Sequence, residues 1–153
     1  FDIKATIMRF GSLYGTRANN FNSIKKMIIQ AISGGKIVRT GDGEEVRDYI
    51  HISDAAETSV RLLDSITDIE YVMITGNQTY KIKDIVNMIN EMMNNELEII
   101  YTKESLNGHY HITPYNFKPN IAKKYNIDYT HDLGQGILES IYNIYEEIKI
   151  KDD

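Results

Sequence analysis

Short apolar runs alternate along this chain with longer stretches whose apolar residues recur at helical spacing. That alternation constrains the fold more than any other feature. The runs Ile3–Phe10, Ile37–Arg39, Val46–Ile52, Tyr71–Ile74 and Leu97–Tyr101 have the length and β-branched content of short buried strands. Between them, Phe21, Ile24, Met27, Ile28, Ala31 and Ile32 mark one helical face, which Gly34-Gly35 closes. A second helix is expected from Ser53, read as its N-cap, with Asp54 in the first turn where the helix dipole favours an anion. It should end near Ser65. Ile82, Ile85, Val86, Ile89, Met92 and Met93 line a third helix, with methionine as adaptable core filler. Ile137, Leu138, Ile141, Ile144, Tyr145 and Ile148 line a fourth. Strands alternating with helices imply an α/β fold. The strands read as too few and too irregular for a complete doubly wound sheet, so half a protein, one domain over residues 1–153, is the expectation.

At 153 residues the chain is long enough to bury a sizeable core. A net charge of -5 argues against a bulk electrostatic grip on nucleic acid or an anionic membrane. The absence of cysteine removes disulfides and thiolate metal sites. No apolar run approaches the roughly 20 residues that span a bilayer. A cytoplasmic protein is therefore expected. The chain opens Phe1-Asp2-Ile3, straight into an apolar segment, as a piece of a longer polypeptide would.

The stretch 41-GDGEEVRDYIHISD-54 concentrates the candidate chemistry. Arg47 has two readings: an ion pair with Glu44, Glu45 or Asp48, or a fork for an anion, since guanidinium offers parallel donors to phosphate oxygens. The flanking glycines would let backbone approach a ligand closely. Asn22 reads equally as a helix N-cap or a ligand contact. Tyr14 reads equally as core or site. His51, on a mostly apolar strand, reads as hydrogen-bonded structure before it reads as a general base. His109, Tyr110 and His111 are spaced compatibly with a metal, but no carboxylate or cysteine completes a set, so no metal is expected.

The string GDGEEVRDYIHISDAA resembles a signature of the extended short-chain dehydrogenase/reductases, the NAD-dependent nucleotide-sugar epimerases and dehydratases. Arg9-Phe10-Gly11-Ser12-Leu13-Tyr14-Gly15-Thr16-Arg17 is similar to that family's strand-and-turn segment, with Thr16 in place of the usual proline. The helix start Leu133-Gly134-Gln135-Gly136-Ile137 also fits. The resemblance implies the C-terminal portion of a Rossmann-like protein, working as its substrate-binding domain. It gives Arg47 the diphosphate of a nucleotide sugar, and Asn22 (or Asn20) and Ser12 the sugar side. Tyr14 and Gly15 would lie near the cofactor, and the 105–115 loop would set specificity. That loop departs from the family, with Leu106 and His109 where an arginine and Gly-Asp are usual. NAD or NADP would be held by a missing half, none by this chain alone. The glycine-rich dinucleotide fingerprint is missing, and the Tyr-x-x-x-Lys pair is read as missing too, so the chain by itself is expected not to transfer a hydride. A homodimeric parent is implied. A non-catalytic module on the same scaffold and a keto-sugar reductase are the alternatives.

Overall fold

The computed structural model describes residues 4–64, 70–103, 122–125, 128 and 131–152. Their order is β1 (Thr6–Phe10), β2 (Ser12–Tyr14), α1 (Ser23–Gly34), β3 (Lys36–Thr40), β4 (Val46–His51), α2 (Ile52–Leu63), β5 (Glu70–Ile74), β6 (Thr79–Lys81), α3 (Ile82–Met92), β7 (Glu98–Thr102), β8 (Lys123–Lys124) and α4 (Leu133–Asp152).

The pairings are mostly parallel. β1 runs parallel to β5, and β5 to β8. β2 runs parallel to β4, and β3 to β7. Only β6, joined to β5 by a short turn, lies antiparallel, against β4. Parallel neighbours need crossover connections, and the helices supply them. The result is a parallel-stranded α/β core of Rossmann type. It corrects the expectation of a C-terminal portion whose strands are too irregular to make such a sheet. Part of the error lay in β2, β6 and β8, each two or three residues long and too short to carry a periodic signal.

Two cores hold the layers. Ile24, Met27, Ile28 and Ala31 of α1 pack with Ile82, Ile85, Val86 and Ile89 of α3 and with Leu133, Ile137 and Ile144 of α4. Met92 and Met93 pack at the edge of this cluster, as core filler should. A smaller core under α2 joins Ile50, Ala55, Leu62, Val72 and Ile74. Each fully buried isoleucine contributes roughly 1.5–3 kcal/mol relative to an exposed one.

The caps differ from expectation at one end. α1 ends on Gly35, left-handed at φ 60, whose N–H donates to the Ala31 carbonyl. α2 begins two residues early: His51, not Ser53, is the N-cap, its Nδ1 accepting the Ser53 N–H at 3.3 Å. Histidine is a rare cap, so residue preference pointed to the serine. Asp54 does sit in the first turn.

Candidate functional site

Two hollows open around β2 and β4, near the carboxyl ends of these parallel strands, where ligands of open α/β sheets collect. The first is a cavity of about 580 Å³ whose walls include Tyr14, Tyr49, His51, Tyr80, His131 and Gln135. The second, of about 630 Å³, lies over the turn after β2, against Tyr14, Gly15, Thr16, Arg17, Asn22 and Ser53.

β4 supplies the first cavity. Side chains of a strand alternate faces, so Arg47, Tyr49 and His51 share one face. Tyr49 and His51 are buried and line the cavity. Tyr14 meets both edge-on, with ring centroids 6.2 Å from Tyr49 and 5.3 Å from His51. The turn after β5 closes down on β4 so tightly that only glycine fits: a Cβ on Gly76 would lie 1.8 Å from the Tyr49 carbonyl oxygen. Gly136 does the same for α4, since a Cβ there would lie 2.5 Å from the Tyr14 hydroxyl. The glycines of the LGQGI segment thus bring the fourth helix onto the aromatic wall.

The electrostatics follow from burial. Tyr14 is pushed well above the ordinary phenol range, first by desolvation and then by the nearby Asp54 and Asp132 charges. It stays protonated and cannot act as a phenolate near neutral pH. Burial raises Tyr49 likewise. His51 is held below the usual imidazole value, first by desolvation and then by His131. The His51 and His131 rings stack at 4.1 Å. Asp54, itself buried, accepts from the His131 ring, with Oδ1 3.1 Å from Nδ1.

The sequence-derived candidates separate clearly. Arg47 is half-buried, stands opposite Tyr80 in the β4–β6 ladder, and donates from Nη1 to the Val46 carbonyl at 2.7 Å. The carboxylates of its ion-pair reading are engaged elsewhere. Glu44 binds Lys81 and Lys83, Glu45 faces Arg39 at 3.9 Å, and Asp48 accepts from Thr79. Among the described residues Arg47 forms no ion pair. It lies on the cavity's face of β4, beyond the lining residues. Asn22 is an N-cap: its Oδ1 accepts the Lys25 N–H at 3.1 Å and its Nδ2 donates to the Leu13 carbonyl at 2.8 Å. These bonds fasten α1 to β2 at the edge of the second hollow. Ser12 pairs with Tyr49 in the β2–β4 ladder and lines neither hollow. Tyr14 borders both. Gly15, at φ +124, lines the second, and a Cβ there would meet His51 Nε2 at 2.7 Å. His109, Tyr110, His111 and the 105–115 loop lie outside the described residues.

Sequence reasoning missed His131, Tyr80 and Gln135 as cavity residues, and it also misread one pair. Tyr145 does have a lysine four positions on, Lys149. The pair sits on α4, where Tyr145 is half-exposed and lines an apolar groove with Ile32, Met93 and Leu138 rather than either hollow. The spacing there is one helical turn and nothing more.

A dinucleotide can be tested against these surfaces. Its pyrophosphate calls for a glycine-rich turn opening a helix. Among the described helices, α1, α2 and α3 instead open on Asn22, His51 and Lys81. Its nicotinamide-ribose end needs a shaped, partly apolar hollow with a few polar groups. The hollow over Tyr14–Arg17 fits that part.

Comparison with known proteins gives the context. The sequence profile of the NAD dependent epimerase/dehydratase family matches residues 1–74. A UDP-N-acetyl-alpha-D-glucosaminuronate decarboxylase of Bacillus cytotoxicus is 25% identical over 125 residues, 79% of this chain but 39% of its own length. The fold is that of UDP-glucose 4-epimerase from Thermotoga maritima, solved with UDP-glucose, at TM-score 0.77 and 18% identity, covering 95% of this chain and 47% of that one. It is also that of UDP-glucuronic acid 4-epimerase from Bacillus cereus, solved with UDP-glucuronic acid and NAD, at TM-score 0.75 and 20% identity, covering 93% and 45%. The chain thus spans less than half the length of these relatives. The matches correct three expectations together: a merely C-terminal fragment, a purely substrate-binding module, and a chain that holds no cofactor. A profile of NAD-dependent enzymes covers the strand-and-turn segment itself, and the parallel-sheet core is the fold of NAD-bound enzymes.

Proposed function

We propose that the chain forms the Rossmann-type core of an NAD-dependent epimerase or dehydratase of nucleotide sugars, within the short-chain dehydrogenase/reductases, a reading supported by the family profile over residues 1–74 and by the decarboxylase relative. In this reading the nucleotide sugar occupies the cavity beside Tyr49, His51 and Tyr80, and the nicotinamide end of NAD occupies the hollow over Tyr14–Arg17. NAD, when bound, supplies a reversible hydride acceptor. The chain's own residues bind and orient. Arg47 takes the diphosphate as a guanidinium fork. Tyr80 and Tyr49 offer aromatic faces to a ring. Tyr14 and Gly15 border the cofactor, Ser12 stands on the sugar side, and Asn22 holds the α1 start against the β2 turn. A cytoplasmic location and a homodimeric whole belong to the same reading.

The observation that carries it is Arg47, a half-buried cation without an ion pair among the described residues, on the same strand face as two cavity-lining rings. Calorimetric titration of the chain with UDP-glucose tests it. Losing a charge-assisted hydrogen bond costs about 1.5–3 kcal/mol, so Arg47→Ala should weaken binding by roughly 10- to 150-fold. Equal affinity in both proteins would remove the diphosphate role.

A further inference from the structure

His51, His131 and Glu139 converge from three separate segments: the end of β4, the approach to α4, and the second turn of α4. One ligand atom from each lies within 4.8 Å of the others. His51 is 3% exposed, and its Nε2 is buried with no hydrogen-bond partner among the described residues. A buried ring N–H without a partner keeps its desolvation cost uncompensated. The backbone of Gly15 closes over that nitrogen, as the 2.7 Å approach of an added Cβ measures. A partner must therefore be small, closer to an ion than to a sugar or nucleotide.

The surroundings orient both rings. The Ser53 N–H occupies Nδ1 of His51, which turns Nε2 toward the cluster. Asp54 accepts from Nδ1 of His131 through Oδ1, and its Oδ2 accepts the His131 backbone N–H at 3.4 Å. A carboxylate behind a histidine is the arrangement that sets ring tautomer and raises ligand basicity at metal centres. Two imidazoles and a carboxylate select a borderline transition ion such as Zn²⁺ or Co²⁺ over Mg²⁺ or Ca²⁺, which require oxygen ligands.

We propose that His51, His131 and Glu139 form a binding site for one divalent transition-metal ion, clipping α4 to the β4–α2 junction. Ion binding has two structural consequences. A metal lies in the plane of each imidazole that binds it, so the rings must rotate out of their stacked pose, at present 24° from parallel. Moreover, His51 must carry its proton on Nδ1 for Nε2 to donate a lone pair, so the long Ser53 bond is given up. Two of its ligands, His51 and His131, also line the cavity that the nucleotide-sugar reading fills, so the ion is titrated without any nucleotide sugar present, where failure of one reading leaves the other standing.

The test is titration of the metal-free chain with Co²⁺, followed by its visible d–d bands, and with Zn²⁺ by calorimetry. The expected result is saturation at one ion per chain. His131→Ala and Glu139→Gln should each weaken it by at least about 10-fold, the scale seen even for supporting residues. Glu139 is exposed, so its variant should fold normally. Nitrogen-15 NMR should report a switch in the protonated ring nitrogen of His51 on adding Zn²⁺. Failure to saturate near one equivalent, or unchanged affinity in both variants, would overturn the site.

Discussion

Replacing Gly76 by alanine should be among the most damaging single-methyl changes in this protein. The added Cβ would lie 1.8 Å from the Tyr49 carbonyl oxygen and 3.0 Å from the Tyr49 carbonyl carbon. Both are backbone atoms of a strand paired on two sides, β2 on one and β6 on the other. No rotamer can relieve the overlap. Either the β5–β6 turn or β4 must shift by more than 1 Å, on the order of the gap between 1.8 Å and ordinary contact. Overpacking a tight site costs typically 1–3 kcal/mol and more when only backbone can yield, so about 3 kcal/mol is a lower bound. Gly35 provides the control. Its φ of 60 strains an alanine, but no atom lies within 4 Å of the added Cβ, so the cost should stay near 1–2 kcal/mol, roughly the left-handed penalty alone. Urea unfolding of the two variants beside the parent measures both, with the midpoint shift read at constant slope. Gly76→Ala no worse than Gly35→Ala would refute the close approach and with it the position of the cavity wall.

Other substitutions probe neighbouring features. Asn22→Ala removes the α1 cap and the bond to Leu13, and should cost about 1–2 kcal/mol by the same unfolding assay. Tyr14→Phe loses only a long 3.4 Å hydroxyl bond to the Asp132 carbonyl and should cost at most about 1 kcal/mol, whereas Tyr14→Ala should cost roughly 3–5 kcal/mol, the range for a lost core aromatic. His51 is neutral in the fold below its ordinary value of 6.5, so the unfolded chain binds the proton first as pH falls. Stability should therefore decline as pH drops below about 6.5, down to the lowered native value, and His51→Gln should flatten that part of the stability–pH curve.

The periodic elements were legible in the sequence because burial imposes a period. The buried faces of α1 and α3 follow the apolar positions read from sequence, except that Phe21 falls before α1 and is exposed, and the strand runs fall within a residue or two of β3, β4, β5 and β7. The cavity was only half legible. Arg47 and Tyr14 stand in motifs, but His131 and Tyr80 reach the site through long-range packing, which leaves no local pattern. Gly136 stands in a helix-start segment and Gly76 directly after an apolar run and a threonine, places where glycine is ordinary for local reasons. Their real constraint is another chain segment pressed against the missing side chain, and a one-dimensional reading cannot express that. The histidine cap of α2 was lost for a different reason: local propensity favoured Ser53, and the tertiary position of His51 beside Tyr14 and His131 prevailed.

The proposed division of the two hollows can be tested directly by nitrogen-15 chemical-shift mapping of the chain with UDP-glucose and, separately, with NAD. UDP-glucose should perturb Arg47, Tyr49, His51, Gly76 and Tyr80, while NAD should perturb Gly15, Thr16 and Arg17 around the second hollow. Perturbations from UDP-glucose confined to the α4 groove at Leu138–Tyr145, with β4 silent, would contradict it.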